Sequence, residues 1–313
     1  PKRFELMEML DRTINDPLLL GGSGFVGSAL IRYLYREGVP MQALQNRGLL
    51  PDHFGIKIHR GGLENFPWAQ LEASPPSVIF HVARMAGKNE KDRQKAAQRN
   101  AAANRRLLDW MEKQADPPLL IFASGTLVYG SCGDAAVKED APLRPISFQR
   151  AYHQAEKPIL EAQQAGTLPI TIVRPGWIYG PGSQWFEAFY ERPLLRQKRI
   201  PVFDKGQNWL SLLHVADAAG MMWHLAKHAP AGYVFNLWNG PPILQRDFAD
   251  RLAEKTAARL ISKSRRWLRW RYDAALAEAF SFSLKADTLY PDVWASYQAR
   301  YPSVEHWLRE RYP

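Results

Sequence analysis

The residues with the clearest chemical potential are three glycines spaced three apart, Gly21, Gly24 and Gly27. They stand between an apolar run at 18–20 and an apolar-periodic stretch at 25–35, which predict a buried strand and a helix. Glycine tolerates the tight turn, lets the main chain approach a pyrophosphate, and lets the helix lie close to the strand. Free N–H groups at the helix start favour phosphate. The pattern predicts dinucleotide binding, and the alternative is an ordinary strand-to-helix turn.

The elements that would position this turn alternate between strands and helices. Further strands are predicted at 41–44, 55–60, 77–80, 119–123 and 170–173, with helices at about 90–113 and 149–165. Such alternation predicts an α/β fold, with a parallel sheet covered by helices on both faces. The alternation breaks down after residue 180. The aromatic-rich segments 181–206 and 241–313 predict a smaller lobe that closes over the carboxyl edge of the sheet.

The end of the second predicted strand bears on the choice of cofactor. An acidic residue often follows this strand in an NAD site and binds the ribose 2′-hydroxyl. Here the chain continues with Gln45, Asn46 and Arg47, without a carboxylate. Arg47 could pair with a 2′-phosphate, which favours NADP over NAD, although NAD stays open. The alternative is that Arg47 only faces solvent.

Composition restricts the classes of protein. The chain has 313 residues, a formal net charge of +10 and a single cysteine, Cys132. One cysteine excludes an internal disulfide and fits a reducing compartment, and the histidines lack metal-ligand spacing, so no metal is expected. No apolar run reaches the length of a membrane span, and the start lacks the apolar core of a signal peptide. We therefore expect a cytoplasmic protein, in which 1–16 form a leader of unknown role.

Several motifs, in order along the chain, resemble the extended short-chain dehydrogenase/reductase family of the NAD-dependent epimerase/dehydratase type. The resemblance covers roughly 17–313 and rests on the glycine turn and on later segments. Those segments are Ile79 to Ala83, Asn100, Val128 to Gly130, Glu139-Asp140, Arg174 to Gly182, Leu213 to Ala219 and Tyr233 to Leu237.

The resemblance implies a Rossmann-type doubly wound parallel sheet with a smaller C-terminal substrate lobe. We expect an NAD(P)-binding domain at 17–180, to which 207–240 return, and a substrate-binding lobe formed by 181–206 and 241–313. The substrate in this family is often a nucleotide sugar, and we list a homodimer as the candidate assembly. The residues expected to hold the cofactor are Gly21, Gly24, Phe25, Val26, Gly27, Arg47, His81, Ala83, Asn100, Lys157 and Pro175.

Family chemistry uses a Ser or Thr after strand five, and a Tyr four residues before a Lys on the next helix. The hydroxyl orients the substrate oxygen, while the lysine and the cofactor ring lower the pKa of the phenol, which is near ~10 in water. This chain departs at both places. Lys157 and Glu161 fit the frame of the helix motif and place His153 at the tyrosine position. Gly125 stands where the hydroxyl is usual, flanked by Ser124 and Thr126.

Three interpretations of this helix stay open. In the first, His153 replaces the phenol, because imidazole titrates near neutrality and can pass a proton. In the second, Tyr152 reaches the substrate with help from Ser124 or Thr126. In the third, the acid–base apparatus is lost and the fold only binds. Gly62 replaces an aspartate that often contacts adenine, which puts one cofactor contact in doubt.

Two further segments carry expectations. Asp217, three residues after His214, is expected to cap the helix that it opens. The Arg- and Trp-rich segment 262–272 is expected to be a helix of the small lobe with its tryptophans in the core and its arginines in solvent, and the alternative is a site for substrate phosphate.

These observations favour an NAD(P)-dependent oxidoreductase or epimerase-type enzyme that acts on a hydroxyl or keto carbon. The alternative is a non-catalytic NAD(P)-binding protein that uses its basic surface for RNA or a protein partner, although nucleic acid is the less favoured partner.

Overall fold

The computed structural model describes residues 9–50, 55–72, 75–87 and 89–313. The first half of the expected leader, 1–8, lies outside these residues. Its second half packs on the end of a helix in the first domain, where the Arg12 guanidinium donates to the carbonyls of Ala226 and Ala229 at 3.0 and 2.5 Å. A cation that caps carbonyls at a helix C-terminus is favourable, because the helix dipole is negative there.

The six strands and the helices predicted up to residue 173 are all present, whereas the short strands in 177–210 and 243–286 were not expected from the sequence. The strands are β1 Leu18–Leu20, β2 Gln42–Gln45, β3 Lys57–Arg60, β4 Val78–His81, β5 Leu119–Ala123, β6 Ala136–Val137, β7 Ile170–Pro175, β8 Trp177–Tyr179, β9 Arg199–Phe203, β10 Trp209–Leu210, β11 Leu212–His214, β12 Val234–Leu237, β13 Ile243–Leu244, β14 Arg259–Lys263 and β15 Lys285–Ala286. The helices are α1 Phe25–Arg36, α2 Glu90–Met111, α3 Ser147–Ala165, α4 Gln184–Phe186, α5 Arg192–Gln197, α6 Val215–His228, α7 Gln245–Thr256, α8 Arg265–Arg271, α9 Ala274–Ala279 and α10 Val304–Arg311. A π-helical turn, Glu187–Glu191, joins α4 to α5.

Seven strands form one parallel sheet in the order β3-β2-β1-β4-β5-β7-β12. The chain builds outward from β1 through β2 to β3, and then returns to place β4 on the other side of β1. The order therefore reverses between β1 and β4. In sheets of this kind, ligands bind at the carboxyl ends of the strands at such a point. The doubly wound α/β fold expected from the sequence is confirmed.

Alternation along β1 divides the core into two layers. Leu19 packs with α1 and α6 on one face, whereas Leu18 and Leu20 pack with α2 and α3 on the other. All three leucines are fully or almost fully buried, as expected for a strand covered on both faces. The glycine turn that follows β1 is thus held by both layers.

The second lobe has its own aromatic core, which includes Phe186, Tyr190, Phe248 and Trp307. Small sheets frame it, since β9 pairs with β14 and β10 pairs with β13. The segment 207–240, which was expected to return to the first domain, is divided between the first domain and the second lobe. Its α6 and β12 pack in the first domain, whereas β10 pairs with β13 in the second lobe.

Candidate functional site

The turn after β1 has the geometry that the glycine spacing predicts. Gly21 has a φ of 101°, which glycine favours, and a Cβ there would lie 2.7 Å from the Ala83 backbone nitrogen. A Cβ on Gly27 would lie 2.0 Å from the Gly21 carbonyl oxygen. The Gly24 N–H donates to that same carbonyl at 2.9 Å, which closes the turn just before α1 begins at Phe25. Side chains at Gly21 and Gly27 would therefore collide with neighbouring main chain, so the close packing of the turn, the end of β4 and α1 requires glycine at both positions.

A groove of about 780 Å³ opens at this turn, at the carboxyl ends of β1, β2, β4 and β5. It lies where the order of the strands reverses, with the N-terminus of α1 at one wall. Most of the residues expected to hold the cofactor line it. They are Gly21, Gly24, Phe25, Val26, Gly27, Arg47, Ala83 and Pro175.

Two of the expected cofactor residues act behind the groove instead. His81 is 3% exposed, and burial lowers its pKa to about 4, so the ring is neutral. Its Nε2 lies 3.0 Å from Asn104 Oδ1, and Asn104 donates onward to the Ala155 carbonyl, which ties β4 to α2 and α3. Asn100 exchanges two hydrogen bonds with the backbone of Met85, at 3.1 and 3.0 Å. The Asn100 side chain therefore fixes the loop that follows β4, where Ala83 and Met85 line the groove.

The structure does not bring Lys157 to the groove. Its side chain is 71% exposed and pairs with Glu161, with Nζ 3.6 Å from Oε1. The face of α3 that meets the sheet carries Tyr152 and Glu156 instead, both buried. One helical step of about 100° separates Glu156 from Lys157 and turns the lysine to solvent. Tyr152 and Glu156 are four residues apart on this buried face, so the side chain that follows Tyr152 at the spacing of the family's Tyr-x-x-x-Lys motif is a carboxylate.

Glu156 connects the groove to His153. The Ser124 hydroxyl, which lines the groove, donates to Glu156 Oε2 at 2.8 Å. The Gln149 amide donates to the other carboxylate oxygen at 3.3 Å. His153 Nδ1 lies 3.7 Å from Oε2, and the His153 side chain is 27% exposed. Glu156 was not singled out from the sequence, although its spacing of four residues from Tyr152 on one helix face was a usable signal.

Tyr152 lies beside this cluster, under the loop that follows β4. Its hydroxyl accepts a hydrogen bond of 3.4 Å from the Gly87 N–H, and the Arg84 guanidinium lies 4.0 Å from the centre of its ring. Only 2% of Tyr152 is exposed. Ser124 lines the groove, whereas the Tyr152 hydroxyl contacts the loop instead.

Thr126 does not face the groove. It is buried, and its hydroxyl donates to the Pro175 carbonyl at 3.3 Å, so it joins the end of β5 to the end of β7. The neighbouring Gly125 is more open, because a Cβ there would meet only the Pro175 carbonyl oxygen at 3.9 Å.

Asp217 holds the C-terminal segment and is not the cap of its own helix. The cap of α6 is His214, whose Nδ1 accepts from the Ala216 N–H at 3.2 Å. Asp217 accepts from the backbone N–H groups of Arg300 and Tyr301 at 2.7 and 3.0 Å, and from the Tyr297 hydroxyl at 3.0 Å. The expected cap is wrong because tertiary partners 80 residues away satisfy the carboxylate.

The Arg- and Trp-rich segment forms α8 in the second lobe. Its arginines are in solvent, as expected, and Leu268 is buried. The expectation that its tryptophans lie in the core is wrong for Trp270, which is 80% exposed. A seven-residue helix turns only one narrow face inward, and Leu268 takes the centre of that face.

Two kinds of feature are absent from the described residues. No set of three or more His, Cys, Asp or Glu side chains there is grouped as metal ligands would be. No helix in the described ranges combines the length and the apolar character of a membrane span.

Comparisons with known proteins place this geometry in context. A model of the NAD dependent epimerase/dehydratase family matches residues 18–237. The dTDP-glucose 4,6-dehydratase of Streptomyces griseus is 24% identical over 259 residues, which cover 77% of this chain and 78% of that protein.

Solved structures share the fold over almost the whole chain. MoeE5 in complex with UDP-glucuronic acid and NAD superposes with a TM-score of 0.76 at 23% identity, covering 94% of this chain and 97% of that one. The human epimerase family protein SDR39U1 with NADPH superposes with a TM-score of 0.74 at 19% identity, covering 94% and 98%.

Proposed function

Because this chain belongs to the NAD-dependent epimerase/dehydratase family, we propose that it is an NAD(P)-dependent oxidoreductase or epimerase-type enzyme that acts on a hydroxyl or keto carbon of a nucleotide sugar. The observation that carries the proposal is the groove at the glycine turn, with the Ser124 hydroxyl on its wall. The nucleotide-sugar class is supported by the relatives, which include a dTDP-glucose 4,6-dehydratase.

The proposed cofactor is NADP. Asn46 and Arg47 follow β2 and line the groove where the adenosine ribose would lie, and no carboxylate follows this strand to bind a 2′-hydroxyl. Glu64 also lines this end, but the Arg99 guanidinium pairs with it, so its negative charge is offset. Arg47 is exposed and available to a 2′-phosphate.

The proposed route of the substrate proton runs through Ser124, Glu156 and His153. When bound, the nicotinamide ring supplies or accepts the hydride. Because Ser124 donates to Glu156, its oxygen lone pairs face the groove and can accept the proton of a substrate hydroxyl as the serine proton moves to Glu156 Oε2. His153 Nδ1, 3.7 Å from that oxygen and itself buried, then takes the proton, and the partly exposed ring releases a proton to solvent from Nε2. In the reductive direction the same proton returns along the same atoms. General acid–base steps of this kind contribute about 10²–10⁴ in rate.

The cofactor assignment is tested by binding. We expect the purified protein to quench or shift NADPH fluorescence at lower concentrations than NADH. Arg47→Ala should weaken NADPH about tenfold or more and leave NADH nearly unchanged, since a charge-assisted hydrogen bond contributes about 1.5–3 kcal/mol. The matched control is Arg266→Ala on α8, which removes the same charge outside the groove. No measurable affinity for either nucleotide would falsify the proposed function.

The substrate class is tested by adding UDP- and dTDP-sugars to the protein with NADP+ or NADPH, and following the nicotinamide absorbance and the sugar products. Turnover of at least one of these compounds is expected. Failure of all of them, with cofactor binding intact, would remove the nucleotide sugar from the proposal.

A further inference from the structure

A second large cavity lies outside the cofactor groove, between α1 and the C-terminal helix α10. We call it the arginine cleft. Its volume is about 1120 Å³. One wall is the outer face of α1 and the other is the segment 300–311, while the floor is the start of α6. Phe25 and Gln184 line both the cleft and the cofactor groove, so they form the partition between the two.

The lining of the cleft is strongly basic. Arg32 and Arg36 project from α1, and Arg300 and Arg311 from the opposite wall, against one carboxylate, Glu310. Glu310 Oε1 is 3.8 Å from the Arg300 guanidinium and also accepts from the Tyr301 hydroxyl. Arg311 pairs with Glu191 at 3.1 Å. Two of the four guanidinium groups are therefore partly neutralised from within the protein.

In the part of the chain that the structure describes, the guanidinium groups of Arg32 and Arg36 are not neutralised by carboxylates. Within the described ranges, the hydrogen bonds of Arg32 and Arg36 go to neutral oxygens, the Ser28 hydroxyl at 3.5 Å and the Arg32 carbonyl at 3.2 Å. Four cations around one cleft repel one another, and a concave basic surface focuses positive potential on its interior. An arrangement of this kind suits an anion with several charges.

The floor is the start of α6. His214, the cap of that helix, is 4% exposed, and burial lowers its pKa to about 4, so its ring is neutral and adds no charge to the cleft. Its Nδ1 accepts from the Ala216 N–H, and its Nε2 is buried beside Gly180. Val215 and Ala216, at the N-terminus of the 14-residue α6, also line the cleft. A helix start attracts negative charge.

We propose that the arginine cleft binds a multiply charged phosphate ligand, at a site separate from the cofactor groove. Arg32 and Arg36 are the principal contacts, because no carboxylate in the described part of the chain pairs with them. Tyr35 lines the same wall and is about half exposed (49%), so it offers a ring to a base if the phosphate is carried by a nucleotide. Ser23 and Gly24 also line both cavities, so they belong to the partition between them.

The direct test is calorimetric titration of inorganic tripolyphosphate into the full chain at low salt, without any nicotinamide cofactor. We expect binding that weakens as salt is raised. The double variant Arg32→Ala/Arg36→Ala should bind about tenfold more weakly or worse, because two charge-assisted contacts are lost. The matched control is Arg266→Ala/Arg269→Ala on α8, which removes the same charge from an exposed surface and should bind as the unchanged protein does.

The outcomes separate this site from the cofactor groove. Binding of tripolyphosphate should persist when the protein is saturated with NADPH. The affinities for ATP and tripolyphosphate, each measured with and without Tyr35→Ala, decide between a nucleotide and an inorganic ligand. Three results would each overturn the proposal. The first is no binding of tripolyphosphate, and the second is an equal loss of affinity in the two double variants. The third is that NADPH displaces tripolyphosphate in the unchanged protein and in Arg32→Ala/Arg36→Ala alike. If tripolyphosphate binds through Arg32 and Arg36 but NADPH does not bind at all, the proposed function fails and this inference stands.

Discussion

At the scale of single residues, a carboxylate takes the inward-facing place on α3. Lys157, which fits the frame of the family motif, is in solvent, and Glu156 is buried behind Ser124. A buried carboxylate is stable only when its oxygens are hydrogen-bonded, and here Ser124 and Gln149 satisfy one oxygen each. The same contacts give Ser124 a defined orientation toward the groove.

Replacement of Glu156 by glutamine tests its part in proton transfer. Glu156→Gln keeps the shape and one acceptor oxygen but cannot take the serine proton, so turnover of a responding nucleotide sugar should fall about 10²-fold or more. Cofactor affinity should stay within about twofold, because Glu156 does not line the groove. Glu161→Gln, exposed on the same helix, is the matched control and should be neutral.

A companion variant distinguishes the interpretations left open by the sequence. His153→Gln should lower turnover less than Glu156→Gln and should change the pH profile, because it acts at the solvent end of the route. If Tyr152→Phe abolished turnover while Glu156→Gln preserved it, the proton would pass through the phenol and the proposed route would be wrong.

The buried His81 makes stability depend on pH. Its folded pKa, about 4, lies below the ordinary 6.5, so the unfolded chain binds more protons between these values. The contribution of neutral His81 to stability is full above pH 6.5 and is lost as pH falls toward 4. When the pH falls from 7 to 5, the free energy of unfolding should decrease by roughly 2 kcal/mol less in His81→Asn than in the unchanged protein.

The measurement is urea unfolding at the two pH values. His306→Asn on α10, an exposed position, is the control and should follow the unchanged protein. If the free energy of unfolding of His81→Asn and of the unchanged protein depended equally on pH, burial would not lower the pKa of His81.

At the scale of elements, the β1–turn–α1 unit is fixed by main-chain proximity. Gly27→Ala would place a Cβ 2.0 Å from the Gly21 carbonyl oxygen, a contact that only backbone movement relieves. We expect a loss of about 3 kcal/mol in unfolding free energy and a loss of NADPH binding, since the helix is pushed away from the strand.

Gly125→Ser is the informative counterpart. Gly125 has a φ of 172°, extended backbone that any residue adopts, and its Cβ would meet only one atom, at 3.9 Å. The free energy of unfolding of Gly125→Ser should differ from that of the unchanged protein by no more than about 0.5 kcal/mol. Circular dichroism and urea unfolding of both variants check the pair, and a large loss in Gly125→Ser would show that the space beside β5 is not open.

At the scale of the whole molecule, the groove is built from both core layers and is bordered by the second lobe through Gln184. A cofactor that binds only the folded chain raises the free energy of unfolding. At NADPH concentrations of 100 times the dissociation constant, the gain should be about 2.7 kcal/mol.

Thermal unfolding followed with increasing NADPH measures this gain, and the melting temperature should rise continuously with the logarithm of the concentration. The same titration with Gly27→Ala should show no rise. A melting temperature that does not respond to NADPH in the unchanged protein would mean that the groove does not hold the cofactor.

The sequence alone determined the fold and the turn after β1. The sheet strands up to β7, the first helices and the glycine turn follow from local patterns, because alternation, apolar runs and glycine backbone freedom act over a few residues, whereas cofactor binding at this turn stays a prediction. The choice of NADP over NAD also began with the residues after β2, and it stays a prediction until binding is measured.

Tertiary structure decided which side chains meet. The frame of α3 could be matched to the family motif in two ways that differ by one residue, and only packing against the sheet turned Glu156 inward and Lys157 to solvent. Asp217 found its partners in a segment far along the chain, and the arginine cleft joins α1 to the C-terminal residues. Such contacts depend on the relative placement of whole elements. A pattern read along one element gives a side chain's neighbours on that element, whereas the neighbours that set its chemistry come from elsewhere in the fold.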